Sequence, residues 1–339
     1  MSIFSLLLIL LSACIHASWN LAARKVKGDF AVLVGGIALV SVLIIPVAFF
    51  VPVTGPLLEG VPFFIASGLI HVLYLALIGQ MYSLGDVSLV YPVARGTGVA
   101  LTAMLAGPVL GEIVSVVGGF GVASIISGIV IMSLAKLNIF CCSCANFDLL
   151  RRDLKDIKGD NDVSPQLSSI AITNINDEEK ETNNSSDTAA AAAAAAAEKS
   201  KLPALGFALL CGIIISSYSL VDKAGVGRMN PIHFLAGMKI IQIICMVPYM
   251  LLFRRAQCVT ALKTKKIYMA IVGIGGSGCY LIVLYVLTLS PSSYVTALRE
   301  VSVVFGAILG VLVLKERLTV GLTVGVCFIG LGLVLIKMA

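Results

Sequence analysis

The segments VARGTGVALTAMLAGPVLGE, residues 93–112, and ALREVSVVFGAILGVLVLKE, residues 297–316, decide how this chain is built. Each carries an arginine near its start, Arg95 or Arg299, and closes 17 residues later on a glutamate, Glu112 or Glu316, across a mostly apolar run. Ser88 and Ser292 fall in the same register. A looser match joins HASWN before Lys25 to SSYSL before Lys223. Two copies of one unit are therefore written into the chain.

Around this pair, apolar stretches recur at about 2–22, 30–51, 62–81, 87–107 and 114–135, and again at 203–221, 232–253, 267–288, 293–313 and 319–337. A bilayer core of roughly 30 Å is spanned by about 20 apolar residues in a helix. With 59% hydrophobic and 12% charged residues, the chain has too little polar surface to cover a water-soluble globule. The runs are long and lack strand alternation, so self-contained helical hydrogen bonding is favoured over a barrel. The expected fold is an all-α integral membrane protein of about ten transmembrane helices. The first apolar run has no basic lead-in and no small-residue cleavage site, and it reads as a helix, not a signal peptide. Five spans per copy is an odd number, so the second copy enters the membrane from the opposite side. The result is two inverted five-helix repeats, residues 1–136 and 202–339.

Between them, residues 137–201 turn abruptly polar and end in the run Ala189 to Ala197. Such a segment has little to bury and reads as a disordered, low-complexity linker. It holds 7 of the 24 basic and 11 of the 18 acidic residues, leaving 17 basic and 7 acidic in the membrane portion. Arg24, Lys25, Lys27, Lys136, Arg254, Arg255, Lys263, Lys265, Lys266, Lys315 and Arg317 flank loops of one parity; Lys223, Arg228 and Lys337 flank the other. The positive-inside rule puts the first group in the cytoplasm and both termini outside, with the plasma membrane the favoured location. The formal N-x-[ST] sequences at Asn183 and Asn184 then lie on the wrong side for glycosylation. Cys141, Cys142 and Cys144 cluster beyond the fifth span, where they are either palmitoylated or plain boundary cysteines. The cysteines show neither a disulfide framework nor zinc-ligand spacing, and no cofactor or metal is expected.

HASWNLAARK in the first span, GDVSLVYPVARGTG into the fourth, LGE after it and LKERLT before the tenth resemble the drug/metabolite transporter superfamily, specifically its ten-helix EamA-like members. The resemblance covers both halves. It implies an inverted-repeat permease whose central solute path is lined by the third, fourth, eighth and ninth spans. HASWN and YPVARG look most like a bacterial subgroup of presumed permeases. The long acidic linker departs from their compact pattern.

Arg95 and Arg299 are the first candidates for contact with a solute. An arginine at the centre of a span costs roughly 2.5–3.5 kcal/mol on insertion scales, so each should face a partner or a wet cavity. There a guanidinium would hold a carboxylate or other anion by charge-assisted hydrogen bonds. The plainer alternative is that each snorkels to a membrane face or ties two helices together. Tyr91, one turn before Arg95, shares its face. Trp19 and Asn20 on the first span, Tyr74 on the third (with Gln80 nearby), and Tyr280 on the eighth complete the candidate binding set; Tyr285 has the same standing as Tyr280. Glu300 and Lys239 form a possible ion pair, or Glu300 titrates alone and couples transport to protons. His16 and His71 are each either an interhelical hydrogen-bonding histidine or a proton relay. Pro92 makes the fourth span a candidate moving part. Gly273, Gly275 and Gly278 spell G-x-G-x-x-G but lie inside a span without the strand-turn-helix setting of a nucleotide site, so close packing explains them better. The pairs Gly306 with Gly310 and Gly321 with Gly325 are read the same way.

The expected function is secondary transport of a small organic solute, anionic by the arginine reading, through alternating access of the two repeats. No nucleotide-binding motif or nucleic-acid partner is indicated, no intramembrane protease or hydrolase motif occurs, and a homodimer is compatible with the sequence. The alternative is a non-transporting receptor or scaffold that recruits partners through its acidic central loop.

Overall fold

A computed structural model describes residues 1–26, 29–53, 55–84, 87–136, 203–314 and 320–339. The linker at 137–201, with its cysteines and N-x-[ST] sequences, lies outside the described residues, as does Glu316. The helices are α1 (Ile3–Lys25), α2 (Phe30–Phe50), α3 (Leu57–Leu84), α4 (Val87–Leu110), α5 (Val116–Lys136) and α6 (Pro203–Val226). They continue as α7 (Pro231–Phe253), α8 (Arg255–Thr264), α9 (Lys266–Leu289), α10 (Ser292–Arg299), α11 (Val301–Leu314) and α12 (Val320–Met338). Among the described residues there is no strand, and nine helical segments are long and apolar enough to cross a membrane. The apolar Val116–Met132 of α5 supplies a tenth hydrophobic helix. The expected all-α membrane class is the observed one.

Two helix starts follow directly from local chemistry. Asp29 and Asn230 each turn a side-chain oxygen to the N–H two residues ahead, of Ala31 and Ile232, at 2.9 Å. Both cap an otherwise unsatisfied helix N-terminus, and Pro231 starts α7 where a missing N–H costs nothing. The outward faces carry large bare hydrophobics such as Phe49, Phe50 and Leu252, as lipid-facing surfaces must where no water competes for them.

Close helix crossings depend on glycine. On α5 and α12, a Cβ at Gly121 would lie 2.9 Å from the Gly332 carbonyl oxygen, and one at Gly128 would lie 2.7 Å from that of Gly325. Backbone thus touches backbone, and the numbering runs in opposite senses along the two helices. Likewise α2 meets α9, where a Cβ at Gly36 would lie 2.8 Å from the Met269 oxygen, and α3 meets α7, where Gly68 would meet the Met238 oxygen at 3.1 Å. Van der Waals contact at this range is what holds helices together in lipid, where apolar burial gains nothing. The formal G-x-G-x-x-G run is partly absorbed here: Gly273 abuts Gly36 and Gly275 abuts Trp19, while Gly278 has open space. Gly306 also has nothing within 4 Å, so its expected packing role is not observed.

The ninth expected span, 293–313, is not one continuous helix. It breaks at Glu300, whose N–H turns tightly onto the Ala297 carbonyl and whose own carbonyl accepts from Val303 at 2.9 Å. The break falls beside a buried charge, where helix ends and side chains can share polar partners.

Opposite ends of the bundle are chemically distinct. At one, Lys265 donates to Asp29 at 2.7 Å, bringing the basic α8 region to the start of α2. These residues belong to loops of the same parity in the charge count. At the other, Arg228 lies 4.5 Å from the centre of the Phe63 ring, beside an open cleft of about 420 Å³ bordered by Gly55, Glu59, Asn230 and Thr288.

Candidate solute site

A buried polar cluster runs through the middle of the bundle. Arg95 on α4 and Arg299 at the end of α10 line one small cavity with Ser12, His16, Cys279 and Val283. The cavity has room for about one water molecule, so this conformation is closed around its centre. The register noticed in sequence therefore brings both arginines to one place.

Their surroundings differ. Arg95 is buried, with Nη1 3.3 Å from Glu300 Oε1 and Nη2 3.4 Å from His16 Nε2. The pairing of Glu300 with Lys239 expected from sequence is not what forms: Glu300 sits at the α10–α11 break, directly opposite α4, and takes Arg95. Lys239 instead donates to Gln242 one turn ahead on its own helix, at 3.0 Å. Arg299 is half-buried, and its guanidinium lies 5.5 Å from the centre of the Tyr280 ring, within cation–π range. Among the described residues it has neither a hydrogen bond nor an ion pair. An arginine left without a counter-ion beside a cavity is the condition under which an entering anion gains most.

On the far side of Tyr280 lies a residue that sequence reasoning passed over. Asp222 on α6 is buried, accepts from Ser67 Oγ on α3 at 2.5 Å, and accepts a short hydrogen bond from the Tyr280 hydroxyl. Its sequence signal was weak, because Asp222 directly follows the apolar run 203–221 and stands beside Lys223; α6 continues to Val226 and so carries Asp222 within the helix. Lys223 faces elsewhere, donating to the Leu287 and Ser290 carbonyls at 2.6 and 2.9 Å.

The remaining candidates divide. His71 packs against Tyr218 and Tyr280, with ring centres 4.4 and 5.2 Å apart, and its Nδ1 lies 2.8 Å from the Ser67 carbonyl, so that nitrogen carries the proton. Tyr74 stands 6.0 Å from Tyr218 in the same aromatic group. His16 meets Trp19 edge-on at 5.1 Å, linking the tryptophan to the cavity wall. Asn20 donates to the His16 carbonyl on its own helix. Tyr285 is exposed on the outer face, unlike Tyr280. The side chains of Tyr91, Gln80 and Ser88 lie outside the described residues.

Glu112 holds the cluster at one end. Gly111 closes α4 with φ 69°, a backbone state that glycine enters without a steric penalty. That reversal aims the Glu112 carboxylate at α10, where it accepts from the Ser292 N–H at 2.8 and 2.9 Å and from the Ser292 hydroxyl at 2.9 Å. Lys223 Nζ is 3.8 Å from the same carboxylate. A carboxylate at a helix N-terminus satisfies free N–H groups and the favourable end of the helix dipole together.

The fold and its buried cationic centre define a multi-pass α-helical integral membrane protein built around a charged interior. Residues 202–338 match the model of the EamA-like transporter family, consistent with the drug/metabolite transporter superfamily. The match lies in the second half of the chain, and the family it names is one of membrane transporters. A crystal structure described only as that of a protein resembles the whole chain, with a TM-score of 0.64 at 12% identity, covering 100% of this chain and 98% of the other. That likeness bears on the fold alone. No curated protein matches the sequence.

Proposed function

We propose that this protein is a secondary transporter of a small anionic organic solute, working by alternating access of two inverted repeats. The observation that carries the anionic part is Arg299, a guanidinium on the central cavity with no counter-ion among the described residues. Among the described residues the buried cluster holds the cations Arg95, Arg299 and Lys239 and the carboxylates Asp222 and Glu300, so an anion would restore the balance. The repeat reading draws support from the α5–α12 contact. Gly121 and Gly128 correspond in register to Gly325 and Gly332, and each touches the counterpart of the other, as a twofold axis in the membrane plane requires. Rocking one half against the other would open the closed cavity to alternate sides.

The test is the melting temperature of purified protein in lipid nanodiscs against a panel of carboxylates, phosphonates, neutral metabolites and amines. A ligand that binds only the folded state raises apparent stability. Anions should raise it in the native protein and not in Arg299→Ala; a response confined to cations or neutral solutes would overturn the anionic reading. Deleting 145–198 should leave counterflow of a stabilising anion in proteoliposomes largely intact, whereas the scaffold alternative requires that segment.

A further inference from the structure

We propose that Asp222 is the proton-binding group of this protein and that it couples proton binding to anion binding at Arg299 through Tyr280. The proposal rests on the transport reading above but concerns a residue and a ligand that reading does not assign.

Asp222 is 1% exposed and its two oxygens accept only from hydroxyls, Ser67 Oγ and Tyr280 OH. Among the described residues no cation lies within ion-pair distance of it. Apart from Tyr280, the charged and titratable groups described around it are directed elsewhere. On α3, His71 gives its Nδ1 proton to the Ser67 carbonyl. On α7, Lys239 is bonded to Gln242. On α9, the Cys279 sulfur points to the Gly276 carbonyl at 3.1 Å and Tyr280 donates to Asp222 itself. On α6, Lys223 holds the Leu287 and Ser290 carbonyls, and Tyr218 stacks on His71. On α10, the Arg299 guanidinium lies over the Tyr280 ring, 5.5 Å from its centre.

This arrangement contrasts with Glu300, whose charge is matched by Arg95 at 3.3 Å. A paired carboxylate resists protonation; a buried carboxylate held by neutral hydroxyls exchanges a charge for a proton at far smaller cost. In the step, one Asp222 oxygen accepts a proton from hydronium in the water that reaches the opened cavity; one hydronium O–H bond breaks and leaves water, and the carboxylate becomes a neutral carboxyl.

The sign of the coupling follows from charge. With Asp222 ionised, its negative charge acts on Arg299 across the tyrosine and competes with an incoming anion. With Asp222 protonated, that opposing negative charge is gone and Arg299 holds the anion more tightly. By reciprocity the bound anion favours the proton. Proton and anion therefore load and unload together, which is the sign of symport.

Infrared difference spectroscopy of the full chain in lipid nanodiscs, titrated from alkaline to acid, tests this without requiring the solute. The native protein should gain a protonated-carboxyl stretch that is missing in Asp222→Asn. In Arg299→Gln the midpoint of that band should move to higher pH by about one pH unit, because a neighbouring positive charge has been removed. A titrating band that survives unchanged in Asp222→Asn, or a midpoint unmoved in Arg299→Gln, would overturn the proposal. Should Asp222→Asn lose its melting transition, Asp222→Glu serves in its place: it keeps a carboxyl and must shift the band, and an unshifted band would count against Asp222. Both readouts concern proton binding alone, so they can fail while counterflow of an anion succeeds, and the reverse.

Discussion

Arg95 on α4 reaches across to Glu300 at the break between α10 and α11, with 3.3 Å between Nη1 and Oε1 and both side chains buried. The contact ties the first half of the chain to the second at the point where the helix is interrupted. It also separates the two arginines that the sequence presents as equivalents. Arg95 is a joining residue whose charge is already matched, and Arg299 is left to face the cavity.

Removing one partner of that pair should be costly for stability. Glu300→Gln leaves the Arg95 guanidinium buried without its counter-charge, and a loss of about 3–5 kcal/mol is expected. Replacing both, as in Arg95→Met with Glu300→Leu, should recover much of it. Denaturation of the native protein and the two variants in mild detergent and lipid checks this; a single variant as stable as the double would mean the pair contributes little.

Arg299→Ala should behave in the opposite way. It removes no ion pair, so the ligand-free melting temperature should stay close to native, while the stabilisation produced by anions disappears. A thermal scan with and without the anion separates the two effects.

At the α5–α12 crossing there is no room for side chains. Gly128→Val and Gly332→Val would each push a methyl-bearing carbon into backbone, and overpacking should cost about 1–3 kcal/mol or more. The same change at Gly119, which has nothing within 4 Å, should be tolerated. Comparing yields and melting temperatures of the three answers the question directly.

Glu112→Gln should loosen α10. The amide keeps an acceptor for the Ser292 N–H but loses the charge that suits both the helix dipole and Lys223, a change of about 1–2 kcal/mol. A cysteine placed at Ser293 should then react faster with a membrane-impermeant thiol reagent than in the native background. Equal labelling rates would show that the carboxylate is not what holds this end closed.

Lys265→Ala should matter little. Its bond to Asp29 is short, 2.7 Å, but both side chains are about a third and a quarter exposed, and pairs of this kind contribute roughly 0–1 kcal/mol. A larger loss on thermal denaturation would mean that α8 depends on this contact for its place against α2.

The membrane class and the helix positions were legible from sequence, because lipid accepts only long apolar segments that satisfy their own backbone, and that demand is written residue by residue. The shared register of Arg95 and Arg299 was legible for the same reason: a charge inside an apolar span stands out against its neighbours. Which charge meets which was decided only by the tertiary structure. Ser67 and Asp222 are 155 positions apart and Asp222 and Tyr280 are 58 apart, and they meet because the packing of the helices brings α3, α6 and α9 together. No local pattern encodes such a crossing, since it depends on backbone contacts between helices far apart in the chain. Hence the sequence by itself determined an all-α membrane protein with charges in its interior. The packed helices alone decided that Arg95 is paired, that Arg299 faces the cavity, and that Asp222 lies behind Tyr280.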